Sequence, residues 1–124
     1  MRVALCHCGS PWDQSTRGLA LWRAAIAALA DNPNVYCKIS GFGMFDPHWT
    51  LASVRPLFDT VLAIFGPDRC MFGSNYPVEK LVTSYRRVWE TYAALTVGYG
   101  AELRERLFAG TACEFYRLAG VATA

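Results

Sequence analysis

The chain has 124 residues, 12 Lys and Arg against 10 Asp and Glu, and a net charge of +2, with 53% hydrophobic and 18% charged residues. So small a charge, with the basic residues scattered and only Arg86 and Arg87 adjacent, excludes the dense cationic surface that a nucleic-acid partner needs. No apolar run approaches the roughly 20 residues that cross a bilayer, so no membrane partner is expected.

Three short apolar runs are expected as strands: Val3 to Cys8, Val35 to Ser40 and Arg69 to Ser74. Each is bounded by Gly, Pro or Asn and followed by a longer helical pattern. After the first, Leu19, Trp22, Ile26 and Leu29 recur at helical spacing, with Thr16 as the expected cap and Asp31-Asn32-Pro33 as the stop. After the second, Leu57, Val61, Leu62 and Phe65 form a stripe, with Pro56 expected in the first turn and Gly66-Pro67 ending the helix. After the third come Leu81, Tyr85, Val88, Trp89 and Tyr92. Two shorter helices, around Leu103 to Phe108 and Ala112 to Leu118, close the chain.

Strand and helix alternate three times, which favours an α/β fold with a parallel sheet and right-handed crossovers. Residues 1–124 are expected to form a single partial domain, because a three-stranded parallel sheet leaves two unpaired edges. Met1-Arg2-Val3 enters a strand without a lead-in, as an internal methionine would. Five cysteines without a Cys-x-x-Cys, three of them (Cys37, Cys70, Cys113) among apolar neighbours, fit free reduced thiols. With no signal peptide after Met1, the expected compartment is the cytoplasm.

Functional groups of parallel α/β proteins collect at the C-terminal strand ends. Here those ends are Cys6-His7-Cys8-Gly9, Lys38-Ile39-Ser40-Gly41 and Gly73-Ser74-Asn75-Tyr76-Pro77. Alternation puts Tyr36, Lys38 and Ser40 on one face of the second strand and Val35, Cys37 and Ile39 on the other. His7 can shuttle a proton, or simply be a hydrogen-bonded histidine at the end of the sheet. Lys38 can bind an anion or stabilise an oxyanion, or lay its stem along the sheet. Asn75 can orient water or a substrate hydroxyl, or only make the turn before Pro77. His48 reads as a surface-loop residue, while Trp12 and Asp13 can line a pocket wall or merely pack. Zinc at Cys6 and Cys8 is disfavoured, because both flank His7 on a strand and no second ligand pair exists. There is no nucleophile elbow, P-loop or dinucleotide fingerprint.

Three strings together carry a resemblance: Cys6-His7-Cys8-Gly9-Ser10-Pro11, Val35-Tyr36-Cys37-Lys38-Ile39-Ser40-Gly41, and Phe65 to Pro77 with Phe72-Gly73-Ser74-Asn75-Tyr76-Pro77 at its end. They resemble the last three strand ends of amidohydrolase-related barrel proteins, in the lactonase-like branch of the amidohydrolase superfamily. Trp22-Arg23 in the first helix and Leu107-Phe108 through Tyr116-Arg117-Leu118 are similar to the same family. The resemblance implies the C-terminal three βα units of a (β/α)₈ barrel with extra C-terminal helices. It further implies hydrolysis of a lactone, ester or similar carbonyl bond in a small sugar-acid or dicarboxylate-like substrate. By the same resemblance His7 matches a catalytic or substrate-orienting histidine, Lys38 and Ser40 the end of the seventh strand, and Asn75 the position after the eighth. His7 and Asn75 are therefore the expected catalytic residues. Lys38 and Ser40, with Trp12 and Tyr76 from the adjoining loops, are the expected substrate-binding ones. The family often binds a divalent metal such as zinc, but the His-x-His pair is absent from this chain. Asn75 stands where an aspartate is usual, and an amide neither takes a proton as a base nor matches a carboxylate as a ligand. The alternative expectation is a non-catalytic half-barrel that pairs with itself or a partner through exposed sheet edges, giving a homo-oligomer.

Overall fold

The structure, a computed structural model, describes residues 1–120. Three strands, β1 (Val3–Leu5), β2 (Val35–Ile39) and β3 (Cys70–Phe72), form one parallel sheet in the order β1-β2-β3. Val3 aligns with Val35, and Cys37 with Cys70. The helices are α1 (Thr16–Ala30), a short α2 (Phe42–Phe45), α3 (Leu51–Phe65), α4 (Tyr85–Leu95), α5 (Ala101–Glu105) and α6 (Thr111–Tyr116). The sheet's middle strand is paired on both sides. In this fold β1 and β3 each have one unpaired edge.

The alternation expected of β2 decides where the core lies. Val35, Cys37 and Ile39 are buried in one cluster with Trp22 and Ile26 of α1, Phe58, Val61 and Leu62 of α3, and Val88 and Tyr92 of α4. Phe72 stacks on Tyr92 with centroids 4.2 Å apart and planes 7° from parallel. The opposite face of β2 meets the chain's own C-terminal helix. Tyr36 packs edge-on against Phe115 at 5.0 Å, and the Lys38 ammonium lies 5.1 Å from the centre of the Tyr116 ring. Cys8, Cys37 and Cys70 are buried free thiols, Cys113 is partly covered and Cys6 exposed. Burial pushes the Cys70 thiol well up, and a hydrogen bond with Cys8 together with burial does the same for Cys37. Among the described residues no helix is long and apolar enough to cross a membrane.

Several boundaries differ from the sequence expectation, each for a local reason. Ser15, not Thr16, caps α1, its hydroxyl accepting from the Gly18 N–H at 3.0 Å. Helix α3 begins five residues before Pro56. A reciprocal box in which Thr50 and Ser53 each accept the other's backbone N–H starts it there. Pro56 therefore sits inside the helix, with no N–H to offer Ala52. Leu81 is not part of a core stripe: it is 90% exposed at the end of a 3₁₀ turn, Val78–Leu81, and Ser84 caps α4 beyond it. The two closing helices are joined through a π-helical turn, Arg106–Gly110. The second of them stops at Tyr116, where Arg117 turns left-handed with φ 55°. The strands at both outer positions are shorter than the apolar runs, because the chain leaves the sheet early to build the turns described next.

Candidate active site

The first strand ends at Leu5, and the residues expected to extend it curl into a left-handed turn. His7, Cys8 and Ser10 have φ of 55°, 56° and 49°, and Gly9 has 73°. L-residues reach this region at a cost of about 1–2 kcal/mol each, so the surroundings must hold it. Two backbone bonds close the turn, Gly9 N–H to Cys6 O at 3.0 Å and Ser10 N–H to His7 O at 2.8 Å. The indole N–H of buried Trp22 donates to Cys8 O at 2.7 Å, and the fully buried Cys8 side chain anchors the turn below. The turn lifts His7, half-buried, over the end of β2.

There its Nδ1 lies 3.0 Å from the Ser40 hydroxyl, which is itself buried. Gly41 has φ 62°, and a Cβ on it would lie 2.3 Å from His7 Nδ1. Only glycine lets the imidazole lie against that backbone. At the end of β3, a Cβ on Gly73 would meet Ser40 Cβ at 3.3 Å, so the second and third strand ends touch as well. Gly73 O accepts from the buried Tyr92 hydroxyl at 2.6 Å, which fixes the start of the next turn. Asn75 occupies that turn with φ 55°, a region asparagine tolerates better than most residues. Its side-chain Nδ2 donates to Glu79 Oε2 at 3.2 Å.

The electrostatics of His7 follow from its neighbours. Burial, the largest influence, pushes its pKa below the ordinary 6.5; the Glu79 carboxylate opposes this and the Lys38 ammonium adds to it. The imidazole is therefore neutral at pH 7, the form that can accept a proton.

The structure brings His7, Ser40 and Asn75 to one end of the sheet and distributes the other candidates around them. Lys38 is close enough to act on His7, but its ammonium rests on the Tyr116 ring. Tyr76 is partly buried, its hydroxyl donating to Thr83 O at 2.6 Å and its ring meeting Tyr85 edge-on at 5.2 Å. Trp12 is 68% exposed and lines a groove of about 340 Å³ beside α1 with Leu5, Leu21, Trp22 and Leu29. Asp13 is engaged in the entry to α1: hydrogen bonding with the Ser15 side chain, and then with its backbone N–H at 2.9 Å, lowers its pKa. His48 is exposed in its loop. Glu79 was not singled out from sequence. The one available signal was that it is the sole acid between Asp68 and Glu90 and stands four residues after Asn75.

The donor set does not suit a metal. Among the described residues no three His, Cys, Asp or Glu side chains come together in a way that could hold one. His7 has only Nε2 left as a ligand once Nδ1 meets Ser40, Asn75 is an amide, and the Glu79 carboxylate already accepts three N–H bonds. A metal in this site would need its ligands from elsewhere.

The model of the amidohydrolase family matches residues 1–118. The chain is 47% identical over 118 residues to the Sinorhizobium fredii protein y4mH, covering 95% of this chain and 39% of that one. It is 34% identical over 123 residues to an L-fucono-1,5-lactonase of Burkholderia ambifaria, covering 95% of this chain and 42% of the enzyme. The crystal structure of a Burkholderia multivorans amidohydrolase with bound HEPES superposes with a TM-score of 0.86 at 35% identity, over 94% of this chain and 44% of that one. A second crystal form of an amidohydrolase from that organism holds zinc. The chain thus spans about two-fifths of the length of these relatives. The match of the family model over nearly its whole length shows that this chain belongs to the amidohydrolase family.

Proposed function

We propose that the chain carries part of the active site of a hydrolase that opens a lactone, or a related ester, of a small sugar acid or dicarboxylate. The observation that supports this best is the neutral, half-buried His7, held by Ser40 at 3.0 Å at the end of a strand. Similarity to proteins named L-fucono-1,5-lactonase, at 34% and 36% identity, favours a sugar lactone within that class. On this reading the chain contributes the last three βα units of an eightfold barrel, and its product is cytoplasmic.

The geometry supports the following mechanism. In the tautomer that donates Nδ1–H to Ser40 Oγ, His7 keeps the Nε2 lone pair for a water. The water's oxygen attacks the lactone carbonyl as its proton passes to Nε2, and the imidazolium returns that proton to the departing ring oxygen. The atoms balance: water adds across the acyl C–O bond, giving a carboxylic acid and a hydroxyl. Asn75 holds the attacking water or a substrate hydroxyl. Lys38 supplies positive charge for a substrate carboxylate or the developing oxyanion, and Tyr76 borders the site next to Asn75, while Trp12 lines the groove beside α1 instead.

The test is proton release from a panel of aldono-1,5-lactones, 1,4-lactones and dicarboxylate lactones, L-fucono-1,5-lactone included, by the complete gene product. Turnover of one class supports the reading, and no turnover of any rejects it. The pH dependence follows from His7. Its neutral form acts, and its pKa lies below 6.5, so kcat/KM is expected to be level through neutrality and to fall only below that value. An acid limb centred above 6.5 would contradict the assignment.

A second reading, a half-barrel that pairs with itself or a partner, is favoured by the uncovered edges. The outer edge of β1 is free, and Val3, Leu21 and Leu29 beside it are exposed. Sedimentation of the 124-residue chain is expected to give a pair or larger on this reading. A well-behaved 13.7 kDa monomer would contradict it.

A further inference from the structure

We propose that Glu79 is the positioning residue of this site, its buried carboxylate fixing the Asn75 amide so that the side-chain oxygen faces the strand ends. The inference rests on the reading of Asn75 as a site residue given above. Glu79 is 2% exposed although Val78, Lys80 and Leu81 in the same turn are exposed. A buried carboxylate is costly unless hydrogen bonds compensate it. Three N–H donors from three segments do so. Oε1 accepts from Gly43 N at 2.9 Å and from the Trp49 indole at 3.2 Å, and Oε2 accepts from Asn75 Nδ2 at 3.2 Å. The Glu79 backbone N–H closes the ring by donating to Asn75 O at 2.8 Å. A Cβ on Gly43 would lie 2.6 Å from Oε1, so the loop after β2 carries glycine where the carboxylate arrives.

A carboxylate ion accepts and cannot donate, whereas an amide has one end of each kind. Facing Glu79, Asn75 must present its NH₂ group, which leaves Oδ1 on the other side. A freely rotating asparagine would offer donor and acceptor alike. This one is a fixed acceptor, suited to the hydrogen of a water or a substrate hydroxyl. The same carboxylate knits the loop after β2 to the turn after β3 and opposes the effect of burial on His7.

Glu79→Gln is the discriminating variant. Its Oε1 can still accept from Gly43 and Trp49, but its NH₂ group then meets the NH₂ group of Asn75. The Asn75 amide turns over and shows its nitrogen to the site. In the complete gene product, kcat is expected to fall about 10- to 100-fold with KM changed less than about twofold, the pattern of a misplaced group rather than lost binding. The acid limb of the pH profile moves lower, because the anion that favours the His7 imidazolium is gone. In Asn75→Asp/Glu79→Gln one Asp oxygen accepts from Gln and the other faces the site, so most of the lost kcat returns. The pH shift reports the lost charge and the rescue reports the amide's orientation; a purely structural role would not produce the rescue.

Side-chain amide NMR decides the matter independently of turnover. In the parent protein the Asn75 NH₂ protons exchange slowly with water. In Glu79→Gln they exchange fast, while the Gly43 N–H and Trp49 indole N–H stay protected. Failure of the parent to open any lactone would reject the hydrolase reading alone, and the amide spectra would still decide Glu79. Unchanged protection of Asn75 in Glu79→Gln, or an active double variant no better than the single one, would overturn the proposal.

Discussion

Replacing His7 by glutamine in the complete gene product is expected to lower kcat/KM by about 10²- to 10⁴-fold, the usual contribution of a positioned general base. Glutamine can still reach the Ser40 hydroxyl with its amide and fill much of the space over Gly41, but it cannot take a proton. The loss should fall on kcat with little change in KM, because the group acts on the water rather than on the ground-state substrate. The left-handed turn should persist, since it is held by the bond from Trp22 to Cys8 O and by the buried Cys8 side chain, neither of which involves the imidazole. Stopped-flow or steady-state lactone hydrolysis, paired with a melting curve, checks both halves. Full activity in the variant would remove His7 from the chemistry.

The largest effect on stability is expected at Phe58. Its ring is fully buried, near-parallel to Phe72 at 6.0 Å and edge-on to Tyr99 at 6.3 Å. Phe72 in turn stacks on Tyr92. Cutting Phe58 to alanine removes the ring and leaves a cavity between α3 and the sheet, at a cost of about 3–5 kcal/mol. Domains of this size are stable by only about 5–15 kcal/mol, so the variant should lose a large part of its margin. The melting temperature should fall by roughly 10–20 °C. A fall of only a few degrees would mean that the aromatic stack does not organise the core.

The core was legible because burial on one face of β2 imposes a period of two, and Val35, Cys37 and Ile39 obey it. The opposite face was only half legible. Tyr36 and Lys38 do share it, but alternation says nothing about what covers a face. Here Phe115 and Tyr116 do, from 75 or more residues away in the chain. Helix starts were misjudged where two adjacent hydroxyl residues compete to cap, as at Ser15 and Thr16, or where a box at Thr50 and Ser53 outranks a proline further on.

Strand-end position was enough to pick out His7, Ser40 and Asn75, which the fold gathers at one end of the sheet. The left-handed turn from His7 to Ser10 could not be read, because only Gly9 in it announces a positive φ. Glu79 stayed hidden for a related reason. An acid beside Lys80 in a surface turn reads as solvated, and its burial depends on donors from Gly43 and Trp49, which only the fold brings near.

The most direct measurement is lactone hydrolysis by the complete gene product in water enriched in ¹⁸O, with the acid product analysed by mass spectrometry. Attack of a His7-activated water on the carbonyl carbon is expected to place one ¹⁸O in the carboxylate of the product, at a rate far above that in buffer. No acceleration over buffer, or label found in the released hydroxyl, would contradict the account.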